Sequence, residues 1–223
     1  MIAESVGSFV ARAHGLGQLD LEDGDVQNGS MQVAVVILAA GASRRFGSPK
    51  QLARLRSGRT MLEAVVEAAR GAGLDPIIAV VPPGFAVPAD VVPEVNGEPD
   101  AGLSRSLRRG LAAVPPEVHS AIVLLGDQPT LSAGAIRAIL AAARSDRAVV
   151  AAQAEGVIGP PVLVTRSAFV LADETTGDEG LRAVLGRHVE MVTTVEVGEH
   201  APDVDTPADL ARIAHMFDSS TGR

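Results

Sequence analysis

Runs of apolar residues alternate with amphipathic segments along most of the chain. Residues 33–39, 77–81 and 121–125 consist wholly of Val, Ile, Leu and Ala, a pattern typical of strands buried on both faces of a parallel sheet. Between them, residues 61–69 and 103–114 carry apolar side chains at helical spacing. The alternation predicts the α/β class, with a Rossmann-like, mostly parallel sheet and helices on both faces.

The rest of the chain continues the alternation, less regularly over residues 153–200. Its pattern predicts further strands near 91–92, 148–152, 161–164 and 189–197, and further helices at 132–144, near 166–172, at 179–186 and from Thr206-Pro207 to Phe217. Proline is favoured at the first position of a helix, which supports the last of these. We interpret residues 153–200 as an edge of the same sheet with a lid over the carboxyl ends of its strands.

The N-terminal segment differs from the rest in composition. Residues 1–32 carry five acidic residues against one arginine, with scattered glycines, and we expect a flexible, dispensable extension rather than a functional arm. Met31 is a candidate for the true start of translation. A single domain is then predicted over residues 33–217, followed by a short tail at 218–223.

Composition excludes several classes of function. The chain of 223 residues has a net charge of −8 and no Trp or Tyr, which argues against nucleic acid as a partner. It has no cysteine, so disulfides and thiolate metal sites are excluded. No apolar run approaches the roughly 20 residues that span a membrane, and no signal peptide is evident. We expect a cytoplasmic protein without membrane contact.

The segment 40–50 is the strongest candidate for ligand binding. Small residues follow the first strand directly, and then come Arg44, Arg45 and Lys50. Successive N–H groups in such a turn form an anion-binding concavity, and the cations can neutralise a polyphosphate. The alternative is an ordinary turn whose basic residues are only solvated. Neither the Walker A pattern nor the GxGxxG fingerprint is present.

Two carboxylates are predicted at the same edge of the sheet. Asp127 follows the strand at 121–125 and Asp205 precedes the last helix, while ligands of open α/β sheets bind at the carboxyl ends of the strands. Mg²⁺ bound with a nucleoside triphosphate needs only one or two protein carboxylates. The alternatives are a turn residue for Asp127 and helix caps for Asp203 and Asp205.

Three ordered motifs identify a family resemblance. The segments LAAGASRRFGSPKQL (38–52), LLGDQP (124–129) and DVDTPADL (203–210) resemble the phosphate loop, GDxP turn and D-I-D-T-P motif of MobA-like nucleotidyltransferases. Within that group the chain is most similar to molybdenum cofactor cytidylyltransferases, through GLSRSL (102–107), GPPVL (159–163) and GDEGLR (177–182). The resemblance implies a sheet of the nucleotide-diphospho-sugar transferase type. Pro160 stands where the family often has His.

The resemblance also implies roles for individual residues. Lys50, Arg45 and Asp127 would be catalytic, and Asp127 and Asp205 would bind the metal. Contacts to the nucleotide would come from Leu38, Ala39, Ala40, Gly41, Arg45, Lys50 and Ser104. Ser104 and Ser106 have two open interpretations, since either could donate to a ligand or cap the start of a helix.

The implied reaction is Mg²⁺-dependent transfer of a cytidylyl group from CTP to the phosphate of molybdopterin, with release of pyrophosphate. Guanylyl-transferring relatives typically have Gly-Gly where this chain has Ala40-Gly41, which favours CTP over GTP. The implied partners are CTP or another nucleoside triphosphate, a small phosphate-bearing acceptor and a molybdoenzyme that receives the product. The alternatives are transfer to a sugar phosphate, a non-catalytic cofactor carrier and a nucleotide-binding regulatory domain.

Overall fold

The computed structural model describes residues 32–143 and 147–219. Nearly all of the predicted N-terminal extension and the last four residues lie outside them. The described residues form a seven-stranded sheet in the order β3-β2-β1-β4-β6-β5-β7. The strands are β1 (Val33–Leu38), β2 (Ile77–Val81), β3 (Val92–Val95), β4 (Ser120–Leu125), β5 (Val149–Ala154), β6 (Val157–Thr165) and β7 (Val192–Glu196).

The strand directions confirm the predicted mostly parallel sheet. β1 pairs in parallel with β2 and β4, β2 with β3, and β5 with β7, while β6 runs antiparallel to both of its neighbours. The order reverses at β1, since the chain first builds β2 and β3 on one side and then β4 on the other. In open α/β sheets such a switch point opens a crevice at the carboxyl ends of the strands.

Helices cover both faces of the sheet, as the apolar strands require. The α-helices are α1 (Met61–Gly71), α2 (Leu103–Ala112), α3 (Ala133–Ala142), α4 (Leu181–Leu185) and α5 (Pro207–Ser219). Alternate residues of β1 enter two core layers: Val36 faces the layer that contains Leu107 of α2, whereas Ile37 faces the layer of α1 and α3. Both faces of β1 are therefore buried, which explains its uninterrupted apolar sequence.

Local sequence signals set the starts of three helices. Thr60 caps α1 in a capping box with Glu63, and Ser132 caps α3. Thr206 and Asp209 exchange the corresponding bonds at the start of α5. Each cap satisfies N–H groups that a helix leaves free at its first turn.

The prediction for residues 153–200 was only partly right. β7 forms an edge, but β6 lies inside the sheet, between β4 and β5. It reaches this place as the second strand of a hairpin, through a turn at Glu155 and Gly156, both of which have positive φ.

The predicted lid is also incorrect in its main part. The 3-10 segment Arg166–Glu174 and helix α4 bury Leu171, Leu181 and Leu185 in the core layer beside α2. They cover part of one face of the sheet because their apolar residues need burial there.

None of the described helices combines the length and apolar character needed to cross a membrane.

Candidate active site

The loop after β1 folds back on itself and returns Lys50 to the sheet edge. Ser43 has φ +51°, a left-handed conformation that residues other than glycine rarely adopt. Its carbonyl accepts bonds from the N–H groups of Phe46 and Gly47, and its Oγ accepts a bond of 3.2 Å from the N–H of Lys50. A 3-10 turn then begins at Lys50. Strained backbone of this kind is common where a loop must present groups to a ligand.

Lys50 lies between the two predicted carboxylates. Its Nζ is 2.7 Å from Oδ2 of Asp127 and 2.8 Å from Oδ1 of Asp205. Arg45 completes the group, with its guanidinium 2.8 Å from Oδ2 of Asp205. We call Arg45, Lys50, Asp127 and Asp205 the carboxylate–lysine cluster. The structure thus brings together all the residues that the sequence analysis proposed as catalytic or metal-binding.

The electrostatics of the cluster centre on a buried ammonium. Lys50 is only 7% exposed, and it is the only lysine of the chain. Burial opposes its charge, but attraction and hydrogen bonds from Asp127 and Asp205 outweigh that effect and raise the pKa of Lys50 above its ordinary value. Lys50 is therefore a permanent cation near neutral pH. Arg45, whose side chain is 73% exposed, offers a second cation on the solvent side.

Two further bonds hold the acidic segment against the β4 turn. The N–H of Val204 donates to the carbonyl of Asp127 at 3.0 Å, and Nε2 of Gln128 donates to Oδ1 of Asp203 at 2.9 Å. Partial burial and the negative charges of Asp127 and Asp205 raise the pKa of Asp203. Because Thr206 provides the cap of α5, the carboxylate of Asp205 is not used as a helix cap.

The carboxylate pair fits a hard divalent cation. Oδ1 of Asp127 is buried and has no hydrogen-bond partner among the described residues, so its lone pairs remain for a ligand. No group of three or more His, Cys, Asp or Glu side chains in the described part of the chain could hold a metal alone. That agrees with Mg²⁺, which binds through one or two carboxylates and takes its other ligands from phosphates and water.

Two cavities lie along the same loop. The first cavity has a volume of about 210 Å³ and the second about 610 Å³. Gly41, Ala42, Arg44 and Asp100 line both of them, and Arg44 forms an ion pair of 2.7 Å with Asp100. The first cavity is also lined by Ala40, Gly102, Leu103, Ser106 and Asp178. Residues along the whole segment 40–50 therefore line one cavity or the other, while Arg45 and Lys50 belong to the carboxylate–lysine cluster.

A buried amide orients a hydroxyl at the first cavity. Asn96 is fully buried, and its Oδ1 accepts from the N–H of Glu98 while its Nδ2 donates to Oγ of Ser106 at 3.0 Å. Because Ser106 Oγ accepts this bond, its own proton remains available to a ligand. The hydroxyl of Ser106 is thus a directed donor. Gly102, rather than a serine, occupies the N-cap position of α2.

The other proposed nucleotide residues lie deeper. Leu38 and Ala39 are buried beneath the loop, with their backbone groups bonded to Gly126 and Val80. Ser104 is 1% exposed and is absent from the lining of both cavities. Its N–H donates to the carbonyl of Gly177. The structure therefore places Ala40 and Gly41 at the first cavity, but not these three residues.

Sequence reasoning missed Asn96 and Asp178. Asp178 reaches the first cavity because segment 177–178 packs on Gly102, where a Cβ would lie 2.2 Å from the carbonyl oxygen of Gly177. Gly102 has φ +89°, so only glycine fits both the conformation and the contact. Gly102 and Gly177 belong to the GLSRSL and GDEGLR motifs, which the sequence analysis had singled out. The separation of the two motifs along the chain did not indicate that they are in contact.

Fold and site together define the class of this protein. A crevice at a sheet switch point, a loop of small residues with two cations and a pair of carboxylates are the parts of a nucleotidyltransferase. The chain belongs to the family of MobA-like NTP transferase domains, whose sequence profile matches residues 35–192. The resemblance drawn from the three motifs is thereby confirmed for the family.

Individual relatives are similar to this chain over most of its length. Nicotine blue oxidoreductase of Paenarthrobacter nicotinovorans is 29% identical over 198 residues, 81% of this chain and 96% of that protein. The homolog of Mycobacterium tuberculosis Rv0371c from Mycobacterium sp. strain JC1 is 28% identical, with a TM-score of 0.73 and coverage of 84% of this chain and 98% of that chain. Rv0371c of M. tuberculosis H37Rv, solved in complex with manganese, is also 28% identical, with a TM-score of 0.68 over 84% of this chain and 100% of that chain.

Proposed function

We propose that this protein transfers a cytidylyl group from CTP to the phosphate of molybdopterin and releases pyrophosphate. The observation that carries the nucleotidyl-transfer part is the carboxylate–lysine cluster at the carboxyl ends of β1 and β4, which includes two residues of the loop that also lines the first cavity. It offers two cations for the phosphates and two carboxylates for a divalent ion. Cytoplasmic location and delivery of the product to a molybdoenzyme belong to the same proposal.

The chemistry needs alignment and charge neutralisation. An oxygen of the acceptor phosphate forms a bond to the α-phosphorus of the triphosphate, and the bond from that phosphorus to the bridging oxygen of the β-phosphate breaks. The acceptor phosphate is already anionic, so no general base is required. Lys50 and Arg45 would orient the triphosphate and neutralise charge that develops on the departing pyrophosphate. A bound Mg²⁺, held by Asp127 and Asp205, would add Lewis-acid neutralisation of the phosphate oxygens.

A divalent ion is supported by chemistry and by a relative. The donors at the cluster are carboxylate oxygens, the ligands that Mg²⁺ and Mn²⁺ prefer. Rv0371c, which is 28% identical, was solved in complex with manganese. Mg²⁺ is our proposal for this chain, with Asp127 and Asp205 as its protein ligands.

The choice of CTP rests on the first cavity. Ser106 presents a donor there, which matches the acceptor atoms O2 and N3 of cytosine. Ala40 lines the same cavity and is almost fully buried. Its extra methyl, relative to the Gly-Gly of guanylyl-transferring relatives, would leave less space for a purine.

Replacing Ser106 with alanine is expected to raise the KM for CTP about 3- to 10-fold and to leave kcat within about twofold. One hydrogen bond contributes about 0.5–1.5 kcal/mol, and this bond lies away from the reacting phosphates. Steady-state kinetics with CTP, compared with Ser104→Ala, measure the effect. An unchanged KM in Ser106→Ala, or a rise only in Ser104→Ala, would move base recognition away from Ser106.

The molybdopterin acceptor is supported by the resemblance of the GLSRSL, GPPVL and GDEGLR motifs to molybdenum cofactor cytidylyltransferases. In the fold, the first and third of these motifs meet at Gly102 and Gly177, and Asp178 of the third lines the first cavity. The second motif lies in β6, beside β4. All three motifs thus lie on elements next to the proposed nucleotide site.

Pyrophosphate release tests this function directly. The purified chain is incubated with Mg²⁺ and molybdopterin, and with CTP, GTP, ATP or UTP in turn. Release with CTP alone is expected. Release with GTP instead would retain nucleotidyl transfer but overturn the base assignment. If no pyrophosphate is released with any of the four nucleotides and molybdopterin, but pyrophosphate is released when a sugar phosphate is supplied, the acceptor is a sugar phosphate and not molybdopterin.

A second candidate comes from one relative. Nicotine blue oxidoreductase is 29% identical over nearly its whole length, so oxidoreductase activity is a specific alternative. The same preparation is therefore assayed for oxidation of NADH and NADPH in the presence of a quinonoid dye. Oxidation without pyrophosphate release would favour this alternative. Binding of molybdopterin with neither activity would favour a cofactor carrier.

A further inference from the structure

The ammonium of Lys50 lies where a metal ion bound by the two carboxylates would lie. It bridges Oδ2 of Asp127 and Oδ1 of Asp205, at 2.7 and 2.8 Å. Arg45 engages Oδ2 of Asp205, the second oxygen of that carboxylate. Of the four carboxylate oxygens, only the buried Oδ1 of Asp127 is without a hydrogen-bond partner among the described residues. The pair is thus already neutralised by the protein itself.

A divalent ion would compete with Lys50 for these oxygens. Both cations would lie within a few ångströms of each other at a site where Lys50 is 7% exposed, and repulsion between like charges is strong where water is largely excluded. The metal therefore needs a displaced Lys50 side chain.

A polyphosphate provides the replacement partner. The backbone of Lys50 is bonded to Ser43, within the loop that lines both cavities, and its four-carbon stem has the freedom to turn. We infer that Lys50 keeps the carboxylate pair closed to divalent cations until the phosphates of a nucleotide draw its ammonium away, so that metal and nucleotide bind as a coupled pair. This inference rests on the proposed nucleotide site and adds its regulation.

Coupling of this kind is reciprocal. If the nucleotide increases the affinity for the metal by some factor, the metal increases the affinity for the nucleotide by the same factor. Direct contacts between metal and phosphates also couple the two ligands in any nucleotidyltransferase. The contribution of Lys50 must therefore be measured without phosphate. In that condition only the closed state of the carboxylate pair limits metal binding.

The test is Mn²⁺ binding to the nucleotide-free chain, followed by the electron paramagnetic resonance signal of free Mn²⁺. We expect Lys50→Met to bind Mn²⁺ at least about 10-fold more tightly than the wild type, within the usual range of coupling factors. Arg70→Met is the matched control, because Arg70 of α1 is an exposed cation that pairs with Asp90 and its loss changes net charge equally. Adding Asp127→Asn to Lys50→Met should abolish the gain, which assigns the Mn²⁺ to this pair.

Equal Mn²⁺ affinity in wild type and Lys50→Met would overturn the inference. An equal gain in Arg70→Met would do so as well, since net charge alone would then explain it. Pyrophosphate release is a separate measurement. Nucleotidyl transfer by the wild type, together with unchanged Mn²⁺ affinity in Lys50→Met, would remove this inference and keep the function. A gain in Mn²⁺ affinity in Lys50→Met, with no transfer by the wild type, would remove the function and keep the closed carboxylate pair.

A second measurement uses the wild type alone and remains decisive if Lys50→Met does not fold. Because Lys50 is the only lysine, a chain labelled with [¹⁵N]lysine has one lysine side-chain ammonium resonance. We expect tripolyphosphate, which has no base or sugar, to shift this resonance without any metal, and Mg²⁺ alone to leave it in place. A shift with Mg²⁺ alone, or none with tripolyphosphate, would contradict the inference.

Discussion

Replacing Lys50 with methionine is expected to reduce kcat/KM for nucleotidyl transfer about 100- to 1,000-fold, as the loss of one preorganised donor to developing charge does in other enzymes. Methionine keeps the unbranched shape of the side chain and removes its charge. Initial rates of pyrophosphate release measure the effect. A rate near that of the wild type would exclude Lys50 from the reaction.

The same substitution should also lower stability. Lys50 is buried and bonded to both Asp127 and Asp205, and carboxylates left without their partner cost about 1–3 kcal/mol. Because the folded-state pKa of Lys50 is raised, this contribution is fully present below pH 10.5 and is lost as pH rises through the raised pKa. The difference in melting temperature between wild type and Lys50→Met should therefore stay constant from pH 7 to 9 and shrink above pH 10.5.

Lys50→Arg separates the two effects. Arginine keeps the positive charge but replaces a compact ammonium with a planar fork, so it should restore more of the stability than of the transfer rate. Equal recovery of both properties would indicate that charge alone, and not its position between the carboxylates, supports the reaction.

Replacing Asp127 with asparagine is expected to weaken divalent-cation binding by at least about 100-fold and to abolish metal-dependent transfer. Loss of groups that only orient metal ligands costs 10- to 100-fold in affinity, and Asp127 is proposed as a ligand itself. Asparagine keeps the shape but not the charge. Titration of activity with Mg²⁺ and direct Mn²⁺ binding in the presence of CTP measure the loss.

Asp203→Asn is the comparison for Asp127→Asn. Asp203 lies in the same acidic segment, but it bonds to Gln128, and an asparagine oxygen can accept that bond. We expect its effect on metal affinity to stay below about 10-fold. An unaltered metal requirement in Asp127→Asn would refute the ligand role of Asp127, and a larger loss in Asp203→Asn would transfer that role to Asp203.

Much of the fold could be predicted because burial and helix capping produce patterns among neighbouring residues of the sequence. The runs at 33–39, 77–81 and 121–125 are apolar on both faces, since each strand lies between two helical layers. Thr60 and Ser132 mark helix starts through bonds that span only three residues. No local sequence pattern indicates that β6 lies inside the sheet, because β4 or β5 alone could have paired with an apolar strand.

The residues of the candidate site could be predicted from the sequence, but the contacts between them could not. The order of the three motifs indicated Lys50, Asp127 and Asp205 as functional residues. That Lys50 is buried between carboxylates 77 and 155 residues further along the chain depends on how the loop after β1 folds back. Ser106 of α2 likewise became a directed donor only through its contact with Asn96, which follows β3.

The sequence by itself determined the family, the parallel α/β sheet and the identity of the charged residues, because apolar periodicity, caps and short motifs are properties of neighbouring residues. Only the tertiary structure decided that Asp178 reaches the first cavity, that Asp205 is spared from helix capping and that Lys50 closes the carboxylate pair. These are contacts between distant segments, and their geometry is set by the packing of the whole sheet and its helices rather than by any local pattern.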